Sequence, residues 1–334
     1  MSKNKLAFIG GSGIYNLDIL QDVKEHDLDS AFGKPSSKII EGKINNNLIY
    51  FLSRHGLGHL LSPSEINYRA NIDCLKQLEV TDIISLSAVG SLRDDLDPGT
   101  FVIVDQFIDR TINRKKTFFE NGIVAHVPMA QPTSKVLMDL SKDVLEDLKI
   151  KYSYGGTYLA MEGPQFSSKA ESLLYRSWNC DVIGMTNMPE AKLAREAEIR
   201  YASISMVTDY DSWSSEHDDV DLQMLLDTMH KNVDKSKKFI ENFSTKYYAD
   251  LDFKLDNTSK ILDTSIVTQP NNWDKNTAKK LSNILKRFIK ENVKDLKIVM
   301  GGDNNMSKLV LIPRKKYAQY FGVDTIKKTY WDEK

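Results

Sequence analysis

Asp209 and Asp211 close the run YASISMVTDYDSW (201–213), which otherwise reads as a buried strand. In an extended chain residues i and i+2 point to one face, roughly 6 to 7 Å apart. The two carboxyls can therefore reach neighbouring polar atoms of one ligand, or they can serve as caps of the loop or helix that follows. Three further segments place anion-binding groups directly after apolar runs. Gly10-Gly11-Ser12-Gly13 follows LAFI, where glycines admit a close ligand and backbone amides with the Ser12 hydroxyl can cradle an oxyanion; a tight turn alone would use the same glycines. The segment is neither GxxxxGK[ST] nor GxGxxG, because Asn16 stands at the last glycine of the second pattern. In FLSRHGLGH (51–59) Arg54 offers a planar fork of donors and His55 a further donor, although such a pair can also simply face solvent. In SLSAVGSLRDD, Ser87, Ala88 and Gly90 can add hydroxyl and amide donors. Together the three strand ends favour a phosphate or phosphate-like ligand. Last, YLAMEGPQFSSKAES (158–172) makes a rigid turn at Glu162-Gly163-Pro164 and presents Phe166 on it. Ser167, Ser168 and Glu171 there match a helix cap, which leaves the aromatic ring unexplained unless it stacks on a planar ligand such as a purine.

These residues need elements to hold them. LAFIG (6–10), NLIYFLS (47–53), DIISLSAVG (82–90), FVIVDQF (101–107), DVIGM (181–185) and RYASISMVT (200–208) read as short strands. Between them NYRANIDCLKQLE, SKVLMDLSKDVLEDL, SSKAESLLYRSW and MPEAKLAREAE space apolar residues every three or four, the helical period. The alternation predicts an α/β fold with a single mixed central β-sheet flanked by helices, in which ligands collect at the carboxyl ends of strands. From about residue 245 the chain becomes polar and weakly periodic. TAKKLSNILKRFIKENV then predicts a lysine-rich helix with a solvated face, and KLVLIP (308–313) is an apolar segment in need of a surface to lie on. We therefore expect a domain over 1–245 and a helical C-terminal extension over 246–334.

With 45 basic and 46 acidic residues, the charge balance gives no reason to expect nucleic acid or a membrane surface as partner. The two cysteines, Cys74 and Cys180, have no metal-binding spacing and are expected to be reduced thiols of a cytoplasmic protein. No apolar run approaches the ~20 residues of a membrane helix, and the N-terminal stretch does not read as a signal peptide.

GGSGI, FGKPS, SRHG, NYRANI, AVGSLR, DQFIDRT, HVPMAQP, EGPQFSS, RSW, GMTNMPEAKLAREA and TDYD, in this order through residues 5–245, resemble the 5'-methylthioadenosine phosphorylases of the trimeric branch of the purine nucleoside phosphorylase superfamily. The resemblance implies reversible phosphorolysis, in which phosphate attacks the ribosyl anomeric carbon and adenine departs, with no cofactor beyond phosphate as co-substrate. It implies a phosphate site of Ser12, Arg54, His55, Ser87, Ala88 and Thr186, with Met185 under the ribose. Phe166 and Ser167 flank the base, and Asp209 and Asp211 face its N7 and exocyclic amine. Adenine offers an acceptor at N7 and a donor at N6, so a protonated Asp209 and an ionised Asp211 would match it, and a 6-oxopurine would not. Close, partly buried carboxyls tend to split in this way. The resemblance further implies a homotrimer. Its 5' pocket would take one apolar wall from Val220, Leu222 and Leu225, and the other from the neighbouring subunit's counterparts of His126 and Leu311. The sequence departs from the family at Val89, where cysteine is frequent, and in the longer tail. A phosphorylase of 6-oxopurine or broader nucleosides and a non-catalytic nucleoside-binding protein are the alternatives.

Overall fold

A computed structural model describes residues 4–14, 17–214, 222–249 and 256–292. The chain forms two compact units, residues 1–117 with 128–259, and residues 118–127 with 260–334.

Among the described residues the first unit is built on eleven strands: β1 (Leu6–Gly10), β2 (Gln21–His26), β3 (Ile39–Ile44), β4 (Asn47–Ser53), β5 (Asp82–Ser91), β6 (Phe101–Val104), β7 (Gln106–Asp109), β8 (Tyr152–Tyr154), β9 (Thr157–Ala160), β10 (Val182–Gly184) and β11 (Arg200–Asp209). Five helices accompany them: α1 (Tyr68–Gln77), α2 (Lys135–Asp147), α3 (Lys169–Ser177), α4 (Asn187–Glu196) and α5 (Leu222–Ala249). The sheet runs β2-β3-β4-β1-β5 and forks at β5, with β10-β9-β7 on one branch and β11-β6-β8 on the other. Parallel pairs (β1 with β4 and β5, β11 with β5) mix with antiparallel ones (β3 with β4, β10 with β5, β11 with β6), so the sheet is mixed as expected.

Alternation along β11 shows why these buried strands carry serines. Ala202, Ile204 and Met206 face a core shared with Leu137, Val144 and Leu145 of α2 and Phe239, Phe243 and Tyr247 of α5. Side chains of opposite parity point the other way: Tyr201 and Ser203 bond to α4 at Glu190 and Asn187. β5 repeats the pattern, with Ile84 and Leu86 in the core and Ser85 bonded to Glu190.

The segment expected as one strand over 101–107 is two. Asp105 interrupts it, and its carboxylate accepts from the Gly156 amide at 2.8 Å, beside the break between β8 and β9. Strands β2, β3, β8 and β9 carry weak apolar alternation and were not among the expected elements; β2 exposes nearly all its residues.

In the second unit Ala125 bridges Ile266, and the Val267 amide bonds to the Val124 carbonyl at 2.9 Å. The expected lysine-rich helix is interrupted: α6 (Leu262–Ser265) precedes α7 (Lys275–Lys280), and a turn over 281–285 separates α7 from α8 (Lys286–Asn292). Leu281, Ile284, Leu285 and Phe288 are buried there, and Trp273 packs on Phe288 with ring centres 6.1 Å apart. No helix among the described residues is long and apolar enough to cross a membrane.

Candidate active site

The carboxyl ends of β1, β4, β5, β10 and β11 open into one cavity of about 600 Å³. Of the residues singled out from sequence, Ser12, Arg54, His55, Ser87, Ala88, Phe166, Met185, Thr186, Asp209 and Asp211 line it. Two backbone features let these segments converge. A Cβ on Gly11 would meet the Leu86 carbonyl oxygen at 2.6 Å and Arg54 Nη1 at 2.9 Å, so the β1 turn can lie against β5 only as glycine. Gly163 has φ +68° and packs directly on the Met185 sulfur, which lets the turn that carries Phe166 approach Met185.

Arg54 is fully buried and held rather than free. Nε and Nη2 donate to Glu190 at 2.7 and 3.0 Å, Nη2 also donates to Ser85 Oγ at 2.5 Å, and Nη1 donates to the Leu86 carbonyl at 3.1 Å. Those four bonds leave one N–H, on Nη1, of the five a guanidinium carries. Ser85 and Tyr201 donate to the same Glu190 oxygen at 2.6 and 2.9 Å, and Asn187 donates to both hydroxyls. The network fixes the guanidinium plane and balances its charge before any ligand arrives.

His55 was expected as a donor. Burial holds it neutral, with its pKa lowered to about 4. Nδ1 lies 2.8 Å from the Leu61 carbonyl, which can only accept, so the proton sits on Nδ1 and Nε2 is an acceptor. His59 stacks on it with ring centres 4.1 Å apart. Ser87 Oγ and Thr186 Oγ1 lie 3.5 Å apart, and Thr186 makes no side-chain cap to α4, so its hydroxyl is not consumed by the helix.

The acid pair is brought together by a turn, not by extended alternation. β11 ends at Asp209, Asp211 has φ +27°, and the Asp211 amide donates to Asp209 Oδ1 at 3.0 Å. Both carboxyls are pushed above the usual carboxylate range, chiefly by burial. At both acids hydrogen bonds oppose that push, from the Thr208 hydroxyl and the Asp211 amide at Asp209 and from the Ser172 hydroxyl, the Ser212 amide and the Ser167 hydroxyl at Asp211, while the Asp211 charge adds to it at Asp209 and the Glu171 charge at Asp211. Phe166 is 63% exposed on the rim, and the capping box of Ser168 with Glu171 starts α3 behind it.

Other expected residues fall elsewhere. Ser167 is not itself a lining residue but lies beside the cavity, its hydroxyl 3.7 Å from the sulfur of the lining Met161 and bearing on the lining Asp211. His126 lies in the second unit, where its amide bonds to the Ser265 carbonyl at 2.8 Å. Leu222 opens α5, but its side chain and those of Leu225, Val220 and Leu311 lie outside the described residues. Sequence reasoning did not find Glu190 or Arg114. Arg114 is buried and donates to the Met188 and Glu162 carbonyls, both at 2.7 Å, and to Met185 at 2.5 Å, tying two cavity loops together. The acid in an otherwise apolar face of MPEAKLA was the signal for the first; nothing local marked the second. Among the described residues no cluster of His, Cys, Asp and Glu could hold a metal ion.

Comparison with known proteins agrees with this geometry. The sequence profile of the phosphorylase superfamily matches residues 5–245. The chain is 50% identical to the S-methyl-5'-thioadenosine phosphorylase of Rhodospirillum rubrum over 285 residues, 85% of this chain and 97% of that protein. It is 46% identical to the enzyme of the same name from Cereibacter sphaeroides, covering 86% and 99%. Among solved structures, a methylthioadenosine phosphorylase from an antarctic soil metagenomic library superposes with a TM-score of 0.80 at 39% identity, covering 85% of this chain and all of that one. A mutant adenosine/methylthioadenosine phosphorylase of Schistosoma mansoni in complex with methylthioadenosine gives 0.70 at 32% identity, covering 78% and 95%.

Proposed function

The chain belongs to the phosphorylase superfamily, within its S-methyl-5'-thioadenosine phosphorylases, and we infer from this that its cavity carries out the reversible phosphorolysis of 5'-methylthioadenosine. A phosphate oxygen bonds to C1' of the ribosyl group, the C1'–N9 bond breaks, and its electron pair leaves with adenine, which takes a proton. The products are adenine and 5-methylthioribose 1-phosphate. Phosphate is the co-substrate and the reaction as written calls on no other group.

The observation that carries this reading is the convergence, in one cavity, of an oxyanion cradle with two acids whose carboxyls are raised by burial. Ser12, Ser87 and Thr186 offer hydroxyls, the Ala88 segment its backbone, and Arg54 its remaining N–H. His55 Nε2 accepts from a protonated phosphate oxygen. This cradle places the nucleophile against a sugar that becomes oxocarbenium-like. Met185 supports the ribose, and Phe166 and Ser167 border the base. Asp209 delivers a proton to N7, which makes adenine a better leaving group, and Asp211 accepts from N6.

Residues 1–245 form the reacting domain and 246–334 the extension. The active unit is a homotrimer, in which His126 and Leu311 of one subunit and Leu222 and Leu225 of another enclose the methylthio group, which needs apolar walls. Leu173 and Leu174 on α3, Trp178 just after it, and Phe166 just before it are exposed apolar side chains, which supports association. Two buried free thiols, Cys74 and Cys180, fit a reducing cytoplasm.

Adenine release from methylthioadenosine is expected only when phosphate is supplied, followed by the absorbance of the freed base. Equal release in phosphate-free buffer would make the protein a hydrolase.

A further inference from the structure

A donor and an acceptor are needed to read adenine, yet the site presents two carboxyls of the same kind. Something must decide which of them keeps a proton. We infer that two hydroxyls behind the pair make this choice: Thr208 holds Asp209 in its protonated form, and Ser172 holds Asp211 as the carboxylate. The inference rests on the proposed role of the two acids and adds two positioning residues to it.

Thr208 is 5% exposed and sits where the β11–β5 register shifts, between Val207 and Asp209. Its Oγ1 lies 3.1 Å from the Val89 carbonyl oxygen and 2.7 Å from Asp209 Oδ2. A hydroxyl has one proton, and the carbonyl can only accept. If Asp209 were ionised, one of the two neighbours would face a lone pair in a dry environment, a costly arrangement. With the proton on Asp209 both contacts are satisfied, in a relay from Asp209 to Thr208 to Val89.

Ser172 differs in that no second acceptor competes for it, and the Ser212 amide and the Ser167 hydroxyl push Asp211 the same way. It is fully buried on α3, and its hydroxyl donates to Asp211 Oδ2. A donor aimed at a carboxylate in a buried site favours the charged form. The Asp211 amide donates to Asp209 Oδ1 and by itself favours the ionised form, so burial and the Thr208 contact must outweigh it. The remaining titratable groups that bear on Asp211 are Glu171 and Tyr175, both on α3, with Arg110 beside Tyr175. Glu171 is a like charge, which works against an ionised Asp211 and makes the Ser172 bond the more necessary. The pair then shows one donor and one acceptor in fixed order, the pattern of N7 and N6. Without the hydroxyls the proton could sit on either acid, and the order that excludes a 6-oxopurine would be lost.

The test measures kcat/KM against pH at saturating phosphate, for methylthioadenosine and its 6-oxo analogue methylthioinosine, in the parent, Ser172→Ala and Thr208→Val. Ser172→Ala is expected to lower the preference for methylthioadenosine about tenfold, the worth of one hydrogen bond to a charged group, with the KM for phosphate unchanged and with recovery in Ser172→Thr. Thr208→Val removes the acceptor of the Asp209 proton and is expected to move the alkaline limb to lower pH. Movement of that limb to higher pH would mean that Thr208 donates to a carboxylate, and would overturn the assignment, as would an unchanged preference in Ser172→Ala. Thr208→Val is close to isosteric and carries the test by itself if Ser172→Ala does not fold. Asp209→Asn and Asp211→Asn separate the two levels. If these leave rate and preference intact, the role of the acids fails; if they do not, and the hydroxyl variants match the parent, only this inference fails.

Discussion

At the scale of single residues the site spends stability on chemistry. Asp209 is buried with its proton affinity raised, first by that burial, from a model-compound value of 3.8. A carboxyl whose folded pKa exceeds its unfolded one stabilises the fold fully below the unfolded value, and that contribution is lost as pH rises through the folded value. At neutral pH the parent therefore bears a cost that an amide does not. Asp209→Asn is expected to raise the melting temperature at pH 7.5, with the gain vanishing near pH 4. The same variant should lower turnover by about 10²-fold or more, the usual scale of general-acid help. Thermal unfolding at the two pH values, with turnover alongside, checks both halves; a variant that melts lower at pH 7.5 would contradict the buried-acid account. His55 follows the opposite rule. Its lowered value, about 4, means that stability is present above the unfolded histidine range and declines as pH falls from about 6.5 toward 4.

At the scale of elements, strands β4, β5 and β11 and helix α4 share one buried polar cluster. Arg54 follows β4, Ser85 is on β5, Tyr201 and Ser203 on β11, and Asn187 and Glu190 on α4. Breaking a buried ion pair from one side typically costs about 3 to 5 kcal/mol, because the remaining charge is left uncompensated. Glu190→Gln is accordingly expected to be destabilised on that scale. Phosphate would then supply the missing negative charge, so its stabilising effect should be larger in the variant than in the parent. Melting curves with and without phosphate decide this. Equal phosphate shifts in both proteins would mean that Arg54 does not face the anion.

At the scale of the whole molecule, the proposed trimer and its shared 5' pocket make the C-terminal segment part of the substrate site. Removing residues 308–334 is expected to raise the KM for methylthioadenosine much more than that for adenosine, which carries a hydroxyl in place of the methylthio group and gains little from an apolar wall. Equal weakening for both substrates would sink the pocket assignment, and a monomer in light scattering would sink the trimer. The similarity to the Rhodospirillum rubrum relative spans 285 residues and so reaches beyond the stretch matched by the superfamily profile, residues 5–245. Part of the chain beyond residue 245 is thus shared with that relative.

The sequence by itself determined the type of fold and the principal polar side chains of the cavity, because both rest on local signals. Apolar runs of β-branched residues predict β1, β4, β5 and β11 within a residue of their observed ends. Cavity-lining side chains sit directly after such runs, where glycine, serine, arginine and aspartate stand out against an apolar background. Tertiary structure alone decided how those side chains are used. Arg54 reads as a free fork, but Glu190, 136 residues away, with Ser85 and the Leu86 carbonyl, occupies four of its five N–H groups. His55 reads as a donor, but burial and the Leu61 carbonyl make Nε2 an acceptor. Asp209 and Asp211 read as neighbours on a strand, but a turn joins them, and the Ser172 hydroxyl, 39 residues earlier, donates to Asp211. Residue type is written in the chain, whereas protonation and donor direction depend on desolvation and on partners that only folding brings within reach.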